Sequence, residues 1–143
     1  MNQKPSAKEQ SLHPEAATKE EKKENAKKEE LDANVVAAIH AADDKKAVGT
    51  VVLDLREIAS FTDFFVITGG TNARQVQAIA DEVVEQLKKQ GTRSLRVEGY
   101  ATAEWILVDY GDFIVHVFDE KSRKFYDLER LWRDAVRVEL PAA

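Results

Sequence analysis

The 143-residue chain contains no cysteine, which removes disulfides, thiolate metal sites and cysteine nucleophiles together. Its only histidines, His13, His40 and His116, are too far apart in sequence to form a local metal-binding cluster. No uninterrupted apolar run approaches the roughly 20 residues of a membrane span, and no signal-peptide core is present. The basic excess of a general nucleic-acid binder is missing too. Lysine and arginine number 21 against 26 aspartates and glutamates, a net charge of −5. These absences lead us to expect a soluble, cytoplasmic protein with no membrane partner and no direct sequence-specific nucleic-acid binding. The length suits one ordinary domain.

The charge is distributed unevenly. Met1 to Glu30 holds seven lysines, seven glutamates and no aromatic residue, with Met1 and Leu12 as its only large apolar side chains. Such a segment cannot bury enough surface to offset the entropy of ordering, so residues 1–30 are expected to form a disordered, solvated tail. Its acidic content also argues against an organelle transit peptide. Residues 31–143, with 14 basic and 19 acidic side chains, form the domain and carry the whole −5. The chain contains no internal repeat.

Within the domain, Leu31, Val35, Ala38, Ile39 and Ala42 recur at helical spacing and predict a first helix over Leu31–Ala42. Thr50–Leu55 and Phe64–Thr68 are β-branched or aromatic runs of strand length. Gly69 and Gly70 are expected to break the second strand. A helix should follow, opened by Thr71 or by Asn72, which has Gln75 three residues on, and closed by Gly91. Val76, Ile79, Val83 and Leu87 give that helix one apolar stripe. Ser94–Val97, Trp105–Tyr110 and Phe113–Phe118 read as three further strands. The last two are separated only by Gly111 and Asp112, a hairpin signal that favours a type II′ turn. Leu128–Val136 reads as a final helix, and Pro141 ends regular structure. The order α-β-β-α-β-β-β-α implies an α/β fold, a mixed sheet with packed helices.

Few residues offer chemistry. The Gly69–Gly70–Thr71 junction could cradle an anion at a helix start. It lacks the glycine spacing of a dinucleotide site and the lysine of a P-loop, and a tight turn needing glycine is the favoured reading. Asp81 and Glu82 are neighbours on a helix and diverge, so they cannot serve as the paired carboxylates of metal-dependent phosphoryl transfer. Asp109 and Asp112 flank a turn and could together hold a hard cation, but two carboxylates make a weak site and a routine turn role is the favoured reading. His116 lies between Ile114 and Phe118 on one strand face and reads as a core residue. Trp105, Leu107 and Asp109 share a strand face. Trp105 is equally compatible with an interface anchor and with a core position. Trp132, beside Leu128 and Leu131, reads as packing.

The run DLREIASFTDFFVITGGTNARQVQAIADEV, followed by EGYATAEWILVDYGDFIVHVF and RKFYDLERLW, resembles the ribosomal silencing factor (Iojap-like) family. The resemblance covers roughly Leu31 to Val138 and leaves the tail aside. It implies a non-enzymatic α/β domain of nucleotidyltransferase-like topology, with no catalytic residue, no cofactor and no metal. It further implies binding to the large ribosomal subunit through large-subunit protein fourteen (uL-fourteen), which obstructs joining of the small subunit and slows translation under nutrient limitation. Organelle relatives assist large-subunit assembly, and homodimers are common in the family. The partner-binding residues implied are Trp105, Leu107, Asp109, Tyr110, Gly111, Asp112 and Tyr126. The acidic domain suits a basic ribosomal protein better than bare RNA. The competing hypothesis is a nucleotide-binding enzyme using Gly69–Gly70–Thr71 with Asp54 and Asp109.

Overall fold

The computed structural model describes residues 31–140. The expected tail over residues 1–30 and the chain end at Pro141 lie outside them. Helix α1 (Ala33–Asp44) starts where the Asp32 carboxylate accepts a hydrogen bond from the Asn34 amide at 2.7 Å, which satisfies one of the helix's orphan donors. Two strands follow, β1 (Val48–Asp54) and β2 (Phe64–Gly70). Helix α2 (Ala73–Lys89) is capped by Asn72, whose side chain accepts from the Gln75 amide at 2.8 Å. The Gln75 side chain reaches back to Thr71 rather than to Asn72, accepting from its amide at 2.7 Å. Gly91, at φ +91°, lies just past the Gln90 C-cap, as the helix end requires.

The rest of the fold comprises β3 (Arg96–Glu98), β4 (Trp105–Asp109), β5 (Phe113–Asp119), α3 (Glu120–Tyr126), the single turn α4 (Leu128–Leu131) and β6 (Val136–Val138). The six strands form one sheet in the order β3-β4-β5-β2-β1-β6. β2 and β5 pair in parallel, from Phe64↔Phe113 to Gly70↔Asp119, and the other neighbours are antiparallel. The mixed α/β sheet expected from the sequence is present. Gly111 opens the β4–β5 hairpin at φ +86°, while Asp112 keeps a negative φ. That combination is the type II′ arrangement.

Alternation along the strands divides the core in two. α1 and α2 cover one face, and α2 withdraws Val76, Ile79, Val83 and Leu87 fully from water. Each such side chain contributes about 1.5–3 kcal/mol. On the opposite face Leu53, Phe65, Ile67, Ile114 and Phe118 form a cluster closed by Leu128, with Trp132 and Ala135 packed partly over it.

Three expectations are corrected. β2 does not stop at Thr68: Gly69 and Gly70 continue it, opposite Phe118 and Asp119 of β5. Neither glycine has a positive φ, so conformational freedom is not the reason for them. A Cβ on Gly69 would lie 3.3 Å from the Phe118 carbonyl oxygen, and one on Gly70 would lie 3.1 Å from Val76. The glycines give room for strand and helix to approach. Second, the expected helix over Leu128–Val136 lasts only to Leu131. After a turn, Val136–Val138 becomes the edge strand β6, because β-branched residues there complete β1 through the Val52↔Val138 and Asp54↔Val136 pairs. Third, α3 has no counterpart in the expected order. Asp119 ends β5 and caps α3 directly, accepting from the Ser122 amide at 2.7 Å.

Candidate partner-binding face

β4 sends Trp105, Leu107 and Asp109 to the face opposite α1 and α2, and all three are half-buried. Beneath them β5 supplies Ile114, His116 and Phe118. The Trp105 ring lies over Phe118, with centroids 5.0 Å apart and planes 29° apart, and Tyr126 of α3 meets it at 4.7 Å. Its indole N–H donates to His116 Nδ1 at 3.0 Å. The core reading of Trp105 is met in part: the ring packs against Phe118, Tyr126 and His116, while the half-buried residue still reaches solvent.

His116 is 3% exposed. Burial pushes its pKa down to about 3, against a weaker opposing pull from the Asp109 carboxylate, so the imidazole is neutral. Because Nδ1 accepts, the proton is assigned to Nε2. That nitrogen is buried without a hydrogen-bond partner among the described residues. The sequence reading of His116 as a core residue captured its burial and missed its bond to Trp105.

The rings continue in both directions. Phe125, 78% exposed, stands at 89° to Tyr126 with centroids 5.0 Å apart, and Tyr126 is itself 49% exposed. On the other side His116 meets Phe65 edge-on at 4.4 Å, Phe65 meets Trp132 at 5.7 Å, and Trp132 meets Phe61 at 5.9 Å. Phe61 and Leu131 are 57% and 69% exposed. Sequence reasoning missed Phe125, Phe61 and Leu131. Phe125 and Leu131 lie inside the RKFYDLERLW run, where helical spacing sets them on the same side as buried Leu128, so the pattern gives no sign of their exposure.

The other expected contact residues are placed less uniformly. Asp109 Oδ2 accepts from Arg96 Nε at 3.2 Å and Oδ1 from the Gly111 amide at 2.8 Å, and its side chain is only 15% exposed. It holds the hairpin end, so reversing its charge would disturb the turn as well as any contact. The Gly111 carbonyl accepts from Thr62 Oγ1 at 2.9 Å, and the exposed Asp112 offers its carbonyl to the Asp63 amide at 2.9 Å. The Asp63 carboxyl is raised above its ordinary value by burial first and by Asp112 second. Tyr110 does not join Trp105. It points to the helix-covered side, stacked on Phe113 at 4.8 Å, with burial pushing its phenol up to about 12.

The nucleotide-site hypothesis loses its geometry. Asp54 is buried on the α1–α2 side and held by Arg56 through Nε at 3.1 Å and a second nitrogen at 2.9 Å. Asp109 lies on the opposite side, so the two carboxylates cannot share an ion. The Thr71 amide at the glycine junction is already spent on Gln75. Beside the junction lies a cavity of about 260 Å³ whose Arg123 is committed elsewhere. Arg123 donates to the Val48 and Gly49 carbonyls at 3.1 and 2.6 Å and pairs with Glu129 at 3.1 Å.

The sheet thus has one face closed by helices and one partly uncovered aromatic face. The chain belongs to the ribosomal silencing factor family, a group of ribosome-associated regulators rather than enzymes. The family model described as "Ribosomal silencing factor during starvation" matches residues 27–143. Ribosomal silencing factor RsfS of Halalkalibacterium halodurans is 48% identical over 103 residues, 72% of this chain and 88% of that protein. Its counterpart in Bacillus subtilis is 43% identical over 103 residues, 72% of this chain and 87% of that protein. A crystal structure of a Chromobacterium violaceum protein superposes with a TM-score of 0.69 at 34% identity, covering 76% of this chain and 88% of that one.

Proposed function

We propose that this chain silences translation by occupying the large ribosomal subunit with its Trp105 face, so that the small subunit cannot join. The observation that carries the reading is the row of exposed and half-exposed rings, Phe125, Tyr126 and Trp105, on the side the long helices leave open. Aromatic residues that are large, rigid and partly exposed supply the anchors of protein interfaces. Ribosomal protein uL-fourteen is the proposed contact, since an acidic domain (14 basic, 19 acidic) is attracted to a basic protein and repelled by bare phosphate. The proposed contact set is Trp105, Leu107 and Tyr126, with Asp109, Gly111 and Asp112 shaping the adjoining hairpin end. Tyr110, buried on the other side against Phe113, is outside that set.

No turnover is needed. Occupancy follows the free concentrations of factor and subunit, and silencing reverses on dissociation. The nutrient-limitation context and a cytoplasmic site of action accompany this reading. Purified small and large subunits, mixed with increasing amounts of the chain and resolved on sucrose gradients, test it. The expected result is cosedimentation of the chain with large subunits and a falling yield of joined ribosomes. Undiminished joining at saturating factor would overturn the occlusion mechanism even if binding were seen.

A further inference from the structure

Trp105 and His116 are not directly opposed in the sheet: Trp105 pairs across from Phe118, and His116 from Leu107. The indole therefore reaches diagonally over Phe118 to place its single N–H on His116 Nδ1 at 3.0 Å. A half-buried indole must find an acceptor for that donor. The face offers one in the middle of an otherwise apolar row, between Phe65 and Phe118.

The acceptor carries a cost. His116 Nε2 is buried without a hydrogen-bond partner among the described residues, and an unmet buried donor is unfavourable. For packing alone, leucine or phenylalanine would fill the site without that penalty. Histidine is justified there by its other nitrogen. We infer that His116 is the positioning residue of the partner-binding face, holding the Trp105 indole in one orientation so that its open side is presented to the large subunit. This rests on the reading that the Trp105 face makes the contact. A pre-set ring loses no rotamer freedom on binding, so affinity falls when the ring is released.

The test uses the full chain with four substitutions, His116→Phe, His116→Asn, Trp105→Phe and Trp105→Ala. Phenylalanine fills the space without an acceptor, asparagine restores an acceptor near Nδ1, and Trp105→Phe removes the donor while keeping a ring. In ¹H–¹⁵N spectra the Trp105 indole resonance, assigned by its loss in Trp105→Phe, is expected to shift and exchange faster in His116→Phe, and to recover in His116→Asn. Large-subunit affinity is expected to drop roughly fivefold in His116→Phe, the equivalent of one hydrogen bond, and to return in His116→Asn. On the Trp105→Phe background, His116→Phe should cost nothing more, because the coupled pair is already broken. If His116→Phe folds poorly, Trp105→Phe breaks the same hydrogen bond from the donor side and is expected to lower affinity, and parent-like binding by it would overturn the inference. An unmoved indole resonance, equal losses in both His116 variants, or full additivity would overturn the inference. If Trp105→Ala weakens binding and His116→Phe does not, the positioning role fails and the face survives. If a folded Trp105→Ala chain binds like the parent, the face itself is wrong.

Discussion

A neutral histidine inside an aromatic layer makes stability depend on pH, and the direction follows from where the proton goes. Folded His116 stays neutral down to about 3 because burial disfavours its charged form. In the unfolded chain the same ring takes up a proton near pH 6.5. Below about pH 6.5 the unfolded state thus binds one proton more than the folded state, and acidification favours unfolding. The contribution is complete above pH ~6.5 and is lost towards pH ~3, by at most about 1.4 kcal/mol per pH unit. Thermal melts near pH 7.5 and near pH 5 should show a larger drop in midpoint for the parent than for His116→Phe. Equal drops would mean that His116 does not stay neutral in the folded chain. The residues around it show what a sequence can and cannot disclose. Alternation along WILVD was enough to put Trp105, Leu107 and Asp109 on one face. Nothing in that pattern pairs Trp105 with a histidine eleven positions on, because the link runs diagonally between strands. The burial of Tyr110 was already implicit in the same alternation, which separates it from Trp105.

At the scale of elements, α3 decides whether the aromatic face exists, since it delivers Phe125 and Tyr126. Besides the Tyr126 ring against Trp105, one polar side chain ties it down. Arg123 donates to the carbonyls of Val48 and Gly49, where β1 shifts register against β2, and pairs with Glu129 of α4. Gly49 sits there at φ +62°, with the guanidinium 3.1 Å from where its Cβ would be. Arg123→Ala leaves these groups to water and is expected to lower stability by about 2 kcal/mol, with charge-assisted bonds as the main loss. Hydrogen exchange should accelerate first in α3 and α4 and much less in α2. Uniform acceleration across the domain would contradict a local tether. The elements that sequence patterns disclosed were those with long apolar periods, α1, α2, β1, β2, β4 and β5, together with the short strand β3 and the start of α4. Those missed, α3 and β6, are short and depend on tertiary partners. A three-residue strand such as Val136–Val138 has no period of its own and exists because β1 has an open edge. The glycine pair was expected to break the strand but continues β2, and its reason, the close approach of Phe118 and Val76, lies in the packing.

For the whole molecule, the decisive feature is the inequality of the two sheet faces. Two helices of 12 and 17 residues cover one side. The other is covered by one turn and a seven-residue helix that end before the aromatic row does. Phe125 at one end of the aromatic row and Phe61 at the other, with Leu131 of α4, remain in solvent on a small acidic domain, as the proposed interaction surface requires. Phe125 and Tyr126 allow that surface to be tested without disturbing the core, because their side chains are largely outside it. The measurement is the affinity of the Phe125→Ser, Tyr126→Ser double variant for purified large subunits, alongside its melting curve. With the melting midpoint held near that of the parent, affinity is expected to fall by about tenfold or more, as it does when anchors of an interface are removed. A folded double variant that binds large subunits as tightly as the parent would contradict the assignment of this face to the ribosome.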